Sequence, residues 1–128
     1  MLYQFLKIVV RVALKIFCRK IYVSRPHLLR QKGPLLLAVN HPNSFLDAII
    51  IGSLFKQPVY FLARGDAFEK PGIKKLLLTF KTIPIYRLSE GKENLGRNEA
   101  TFQLCRKIFR RNGIVLIFSE GICENEWQ

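Results

Sequence analysis

Polar and apolar positions along this chain fall into blocks, and the repeat changes from one block to the next. Residues 2 to 22 carry Lys7, Arg11, Lys15 and Arg19 at every fourth position, so each cation steps only about 40° round a helical wheel from the last. Leu2, Phe5, Leu6, Val9, Val10, Ala13, Leu14, Ile16 and Phe17 fill the rest of that wheel, which predicts one amphipathic helix. Residues 35 to 39 are an unbroken apolar run, the pattern of a strand buried in a parallel-type sheet. A polar corner follows, then a largely apolar helix over 45–55. Residues 59–63 read as a second strand by their β-branched and aromatic content. Pro71 suits the first turn of a helix reaching about residue 80. Residues 83–87 read as a short strand that Pro84 places at a sheet edge or a strand start. A helix over about 94–111 stops at Asn112-Gly113, and 114–118 is the strongest strand pattern of all.

Strands alternating with helices predict an α/β fold with a mainly parallel central sheet and flanking helices, preceded by the N-terminal amphipathic helix. The chain divides into residues 1–30, a membrane-associated amphipathic helix with a basic linker, and residues 31–128, an α/β core. The linker is punctuated by Pro26, Gly33 and Pro34, and His27 within it is expected to be solvated. At 128 residues there is one domain's worth of chain.

Charge sharpens the picture of the first block. The formal net charge is +12, and no Asp or Glu precedes Asp47, whereas eight Lys or Arg residues lie within the first 32 positions. Such asymmetry calls for an anionic partner, a membrane surface or a nucleic acid, and an apolar content of 49% favours the membrane. The first helix fits an in-plane membrane helix, with docking on the domain as the alternative. It does not fit a spanning helix, because Arg11 and Lys15 near a bilayer centre would cost about 2.5–3.5 kcal/mol each. Nor does it fit a signal peptide, since charges run through the would-be apolar core. Cys18, Cys105 and Cys123 have no paired spacing, so neither a disulfide framework nor a zinc site is indicated, and a reducing compartment follows. Cys123 stays open as a nucleophile without an assignable base.

The chemistry-bearing residues stand where strands end. Asn40-His41-Pro42-Asn43-Ser44-Phe45-Leu46-Asp47 joins the first strand to the next helix, and ligands of open α/β sheets bind outside the carboxyl ends of strands. A neutral imidazole accepts a proton from a hydroxyl, and a carboxylate on its other nitrogen would fix the tautomer and stabilise the imidazolium. Asp47 has a structural alternative, because Ser44 to Asp47 also fits a capping box; His41 likewise has the alternative of a hydrogen-bonded corner residue. The second strand delivers Arg64 and then Asp66, which would begin the next turn. The third delivers Arg87, and the fourth Ser119-Glu120-Gly121. Lys74, Lys75 and Lys81 face either headgroups or solvent.

An Asn-His pair, a short spacer and an Asp after an apolar strand resembles the signature of the glycerolipid, or lysophospholipid, acyltransferases, among them the 1-acylglycerol-3-phosphate acyltransferases. The usual spacing in that family has four residues between His and Asp. Here five intervene, and Leu46 stands where the shorter spacing would put the acid. Arg87 resembles the arginine of the family's second block, and Glu120-Gly121 its third, with Ser119 in place of proline and Ile122-Cys123 in place of Thr-Arg. The resemblance implies a fatty acyl transfer from acyl-CoA or acyl-carrier protein to the hydroxyl of a lysophospholipid such as 1-acylglycerol 3-phosphate, in phospholipid biosynthesis.

Within that scheme His41 is the base and Asp47 its support. Arg87, Glu120 and Gly121 seat the acceptor, Arg64 is a further phosphate contact, and amides near Asn43 and Ser44 are the candidate oxyanion donors. No cofactor and no metal is called for. The expected partners are the acyl donor, the lysophospholipid and an anionic membrane surface, with the protein peripheral on the cytoplasmic face of the cell membrane and no specific nucleic acid bound. The family's fourth block, an apolar strand with Val-Pro, would lie beyond Gln128, so an incomplete core is expected. The rival is a basic membrane- or nucleic-acid-binding module without catalysis, a fragment or pseudoenzyme.

Overall fold

The computed structural model describes residues 1–40, 44–86 and 91–118, except for the side chains of Ser44, Phe45 and Asn94. Four strands form one sheet: β1 (Leu35–Val39), β2 (Val59–Arg64), β3 (Thr82–Ile85) and β4 (Ile114–Phe118). Their order is β1-β4-β2-β3 and every pairing is parallel, as the uninterrupted apolar runs predict. The last strand in sequence therefore lies inside the sheet, between β1 and β2. Pro84 is on the edge strand β3, as its missing N–H requires.

Alternation along the strands sorts their side chains onto two faces. One face gathers Val59 and Phe61 of β2 with Ile114 and Leu116 of β4, covered by Ala48 and Ile51 of α2 (Ser44–Leu54) and by Phe55 just after it. The other gathers Tyr60 and Leu62 with Val115 and Ile83, covered by Cys105, Ile108 and Phe109 of the long helix before β4. Val59, Ile114, Val115 and Leu116 are essentially inaccessible, so the centre of the sheet is the centre of the core. On the second face Leu36 of the edge strand β1 is left exposed.

The first helix, α1 (Leu2–Phe17), ends five residues before the predicted residue 22. Its cations also turn the unexpected way. Lys7 is only 7% exposed, and its ammonium donates to the carbonyls of Lys56 (3.1 Å) and Gln57 (3.2 Å). Arg11 donates from Nε to the Ser53 carbonyl (2.7 Å) and from a terminal nitrogen to that of Phe55 (3.2 Å). These carbonyls are at or just past the carboxyl end of α2, where backbone acceptors lack intrahelical partners and the macrodipole is negative. Two cations there satisfy carbonyls at the helix end. Burial, with the neighbouring Arg11 charge, lowers the Lys7 pKa to about 8.

Tyr3 accepts from the Val59 amide (3.3 Å), so successive turns of α1 meet α2 and β2 in reverse order and the two helices run antiparallel. Six residues on from Arg11, at about 1.5 Å per residue, α1 has reached the level of the first turn of α2. There α1 ends, and Cys18 turns to extended backbone.

The linker contains a 3-10 turn, Pro26–Arg30, which packs Leu29 on the core and leaves His27 exposed. A second, Gly65–Phe68, follows β2 and leads to α3 (Pro71–Thr79). Lys81, just after α3, holds a left-handed backbone (φ 57°) and sets its ammonium over the rings of Tyr3 and Tyr60, at 5.3 and 5.2 Å. The single helix predicted over 94–111 is two: α4 (Lys92–Leu95) and α5 (Asn98–Arg110). Gly96 stands between them, a poor residue for a helix interior.

Candidate active site

Register places all four carboxyl ends on one rim. Val39 pairs with Phe118, Phe61 with Leu116 and Arg64 with Ile85. In sequence His41 is two residues past Val39, Arg87 two past Ile85 and Glu120 two past Phe118. Asp47 and Arg64 are within the described residues; His41, Asn43, Arg87, Glu120 and Gly121 lie outside them, as does Cys123.

Asp47 occupies the first turn of α2, where a carboxylate interacts favourably with the positive end of the helix. Leu46 on one side of it is 55% exposed, and Ala48 on the other is 7% exposed; Asp47 itself is half-buried. The five-residue spacing from His41 thus sets a carboxylate on the flank of α2 that turns toward the domain. The four-residue spacing would set it on the flank that faces solvent. The capping-box alternative depends on the Ser44 side chain, which is outside the described residues.

Arg64 ends β2 and is paired with Asp66 at 2.5 Å, both side chains being nearly half exposed. An exposed pair of this kind contributes about 0–1 kcal/mol, so it holds the guanidinium only weakly. Asp66 begins the turn after β2, as expected. The chain bends at Gly65, where a side chain would overlap the Tyr86 ring; the exits of β2 and β3 are packed together there.

Sequence patterns gave no notice of how the exit of β3 is held. Asn98 accepts from the Tyr86 amide (2.8 Å) and donates to the Tyr86 carbonyl (2.7 Å), while Thr101 donates to the Pro84 carbonyl (2.6 Å). Asn98 and Thr101 are 9% and 4% exposed, and the Arg97 guanidinium lies over the Tyr86 ring. Edge strand β3 has a neighbour on one side only, so these side chains stand in for a second one. Two polar residues three apart on the covered side of a helix were the available signal. Their effect is to fix the residue immediately before Arg87.

Replacing Asn98 by alanine removes both partners of Tyr86. With buried backbone groups costing about 1–3 kcal/mol each when unpaired, the variant is expected to lose about 2–4 kcal/mol in urea unfolding, and Thr101→Val about 1 kcal/mol. A loss under ~0.5 kcal/mol for Asn98→Ala would contradict the clamp.

Compared with known proteins, residues 20–128 match the family model described as Acyltransferase. No curated protein and no solved structure matches. The matched span takes in all four strands, the corner between β1 and α2 and both later strand exits, leaving out α1. With most of its length and its whole sheet inside that match, the chain belongs to the acyltransferase family.

Proposed function

We propose that this acyltransferase moves a fatty acyl group from a thioester, acyl-CoA or acyl-carrier protein, to the free hydroxyl of a lysophospholipid such as 1-acylglycerol 3-phosphate, on the cytoplasmic face of the cell membrane. His41 takes the hydroxyl proton as the oxygen attacks the thioester carbonyl; the C–S bond then breaks, and the leaving thiolate takes the proton back from the imidazolium. Asp47 orients His41. Arg87, with its planar fork, and Arg64 bind the acceptor's phosphate, Glu120 and Gly121 complete its seat, and amides near Asn43 and Ser44 meet the oxyanion.

The observation that carries this reading is the common rim. Four parallel strands end together, and the sequence places a base, two arginines and a carboxylate within two residues of those ends. The rival nucleic-acid module rests on net charge alone, and the sequence carries no zinc-finger, KH or RRM signature.

Incubating the chain with acyl-CoA and 1-acylglycerol 3-phosphate, while following free thiol and diacyl product together, tests it. Both should appear in equal amounts and only with the acceptor present. Thiol release without an acceptor would make the protein a thioesterase, and no release with any lysophospholipid would remove the acceptor class.

A further inference from the structure

At the end of the sheet opposite the rim, the entries of β2 and β4 and the last two turns of α5 enclose a cavity of about 320 Å³, a volume within the range of small-molecule sites. From α5 come Leu104, Lys107, Ile108 and Arg111, whose spacing puts them on one side of the helix. Tyr60 of β2 completes an apolar wall with Leu104 and Ile108, while Gln57 and Asn112 add side-chain amides. Strand β4 is five residues long, so roughly 16 Å separates this cavity from the rim.

Cations at the end of a helix are often taken up by the carbonyls there. In α5 the backbone does that work: the Ile108 carbonyl receives the amides of Arg111 (3.1 Å) and Gly113 (2.9 Å), and the Phe109 carbonyl that of Asn112 (2.9 Å), a closure made by the left-handed backbone of Asn112 (φ 56°). Among the described residues Lys107 and Arg111 pair with no acid, and no carboxylate lines the cavity. Glu99, the acid of α5, lies in its first turn and is engaged with Arg106. The facing wall is anchored separately. The Gln57 carbonyl accepts from Lys7, the Val59 amide donates to Tyr3, and the Lys81 ammonium sits 5.2 Å from the centre of the Tyr60 ring.

We propose that this cavity binds a mononucleotide, its phosphate held by Lys107 and Arg111 and its base laid against the wall of Tyr60 and Leu104. A guanidinium grips two phosphate oxygens at once and an ammonium adds a point charge. The base is a flat body with polar edges, which matches an aromatic and aliphatic wall bordered by amides that both donate and accept. Inorganic phosphate would use the cations and leave that wall wet. A long acyl chain would have no use for the amides.

Equilibrium dialysis of the full chain against radiolabelled AMP tests this without relying on catalysis. Saturable binding of one nucleotide per chain is expected, with inorganic phosphate competing at least ~10-fold more weakly than unlabelled AMP. Lys107→Gln/Arg111→Gln, which alters only exposed positions, is expected to lower affinity at least ~10-fold with an unchanged melting temperature. Arg106→Gln/Arg110→Gln removes the same charge from the same helix outside the cavity and should stay within ~2-fold of the parent at physiological salt. Equal losses in the two double variants would reduce the binding to general charge attraction and overturn the proposal. So would phosphate competing as well as AMP, the absence of saturable binding, or displacement of AMP by 1-acylglycerol 3-phosphate, which would put the nucleotide on the rim.

Discussion

His41→Ala is expected to lower the rate of acyl transfer ~10²–10⁴-fold, the range that a positioned general base supplies, with little change in melting temperature. An alcohol at neutral pH is a weak nucleophile, and the thioester carbonyl is attacked only as the proton leaves. Without the imidazole that proton must pass to water. Product formation under single-turnover conditions, with both substrates saturating, isolates this step from binding. His41→Gln keeps hydrogen-bonding capacity without useful basicity and should be as slow as the alanine variant. Turnover within ~10-fold of the parent in either variant would remove His41 from the mechanism.

The second large effect concerns the spacing to the acid. Exchanging two neighbours, Leu46→Asp/Asp47→Leu, restores the four-residue spacing usual among lysophospholipid acyltransferases, yet it is expected to cost at least ~10²-fold in rate. Loss of the carboxylate that orients a catalytic histidine can cost about 10⁴-fold. Leu46 faces solvent and Asp47 is the half-buried position, so the exchange moves the charge about 100° round α2 and brings an apolar side chain to the domain flank. Asp47→Asn should be similarly slow. An exchanged protein as active as the parent would show that either position serves and that α2 does not select between them.

What could be read in advance follows from the range of the forces involved. Strand identity, the parallel sheet and the edge position of Pro84 depend on local apolar runs and one missing N–H, all visible in sequence. The direction of the α1 cations does not. A four-residue repeat marks a stripe, but the carbonyls that receive Lys7 and Arg11 are 42 to 50 positions away. The break at Gly96 and the Asn98 bonds to Tyr86 escaped for a related reason: the periodicity of 94–111 continues across the glycine, and the backbone groups to be satisfied belong to another element. For the site, residue types at strand ends indicated the chemistry and its side of the sheet. Of the residues named, Asp47 and Arg64 now have described surroundings. The partner of Arg64 is two residues away, a local ion pair that sequence reading passed over in favour of a ligand.

The placement of β4 bears on how the polypeptide folds while it is being made. Since β1 pairs only with β4 among the described strands, and β2 meets β1 through it, a nascent chain that has emerged as far as α5 possesses the β2–β3 pair and a first strand without its described partner. Residues 114–118 close the sheet in a single late event, joining partners from opposite halves of the sequence. Such long-range closure is slow relative to local helix formation, and until it occurs both margins of β1 are open to chance pairing with other chains. Ribosome stalling before residue 114 has emerged should therefore leave a species that chaperones retain, and release should follow once Phe118 has emerged.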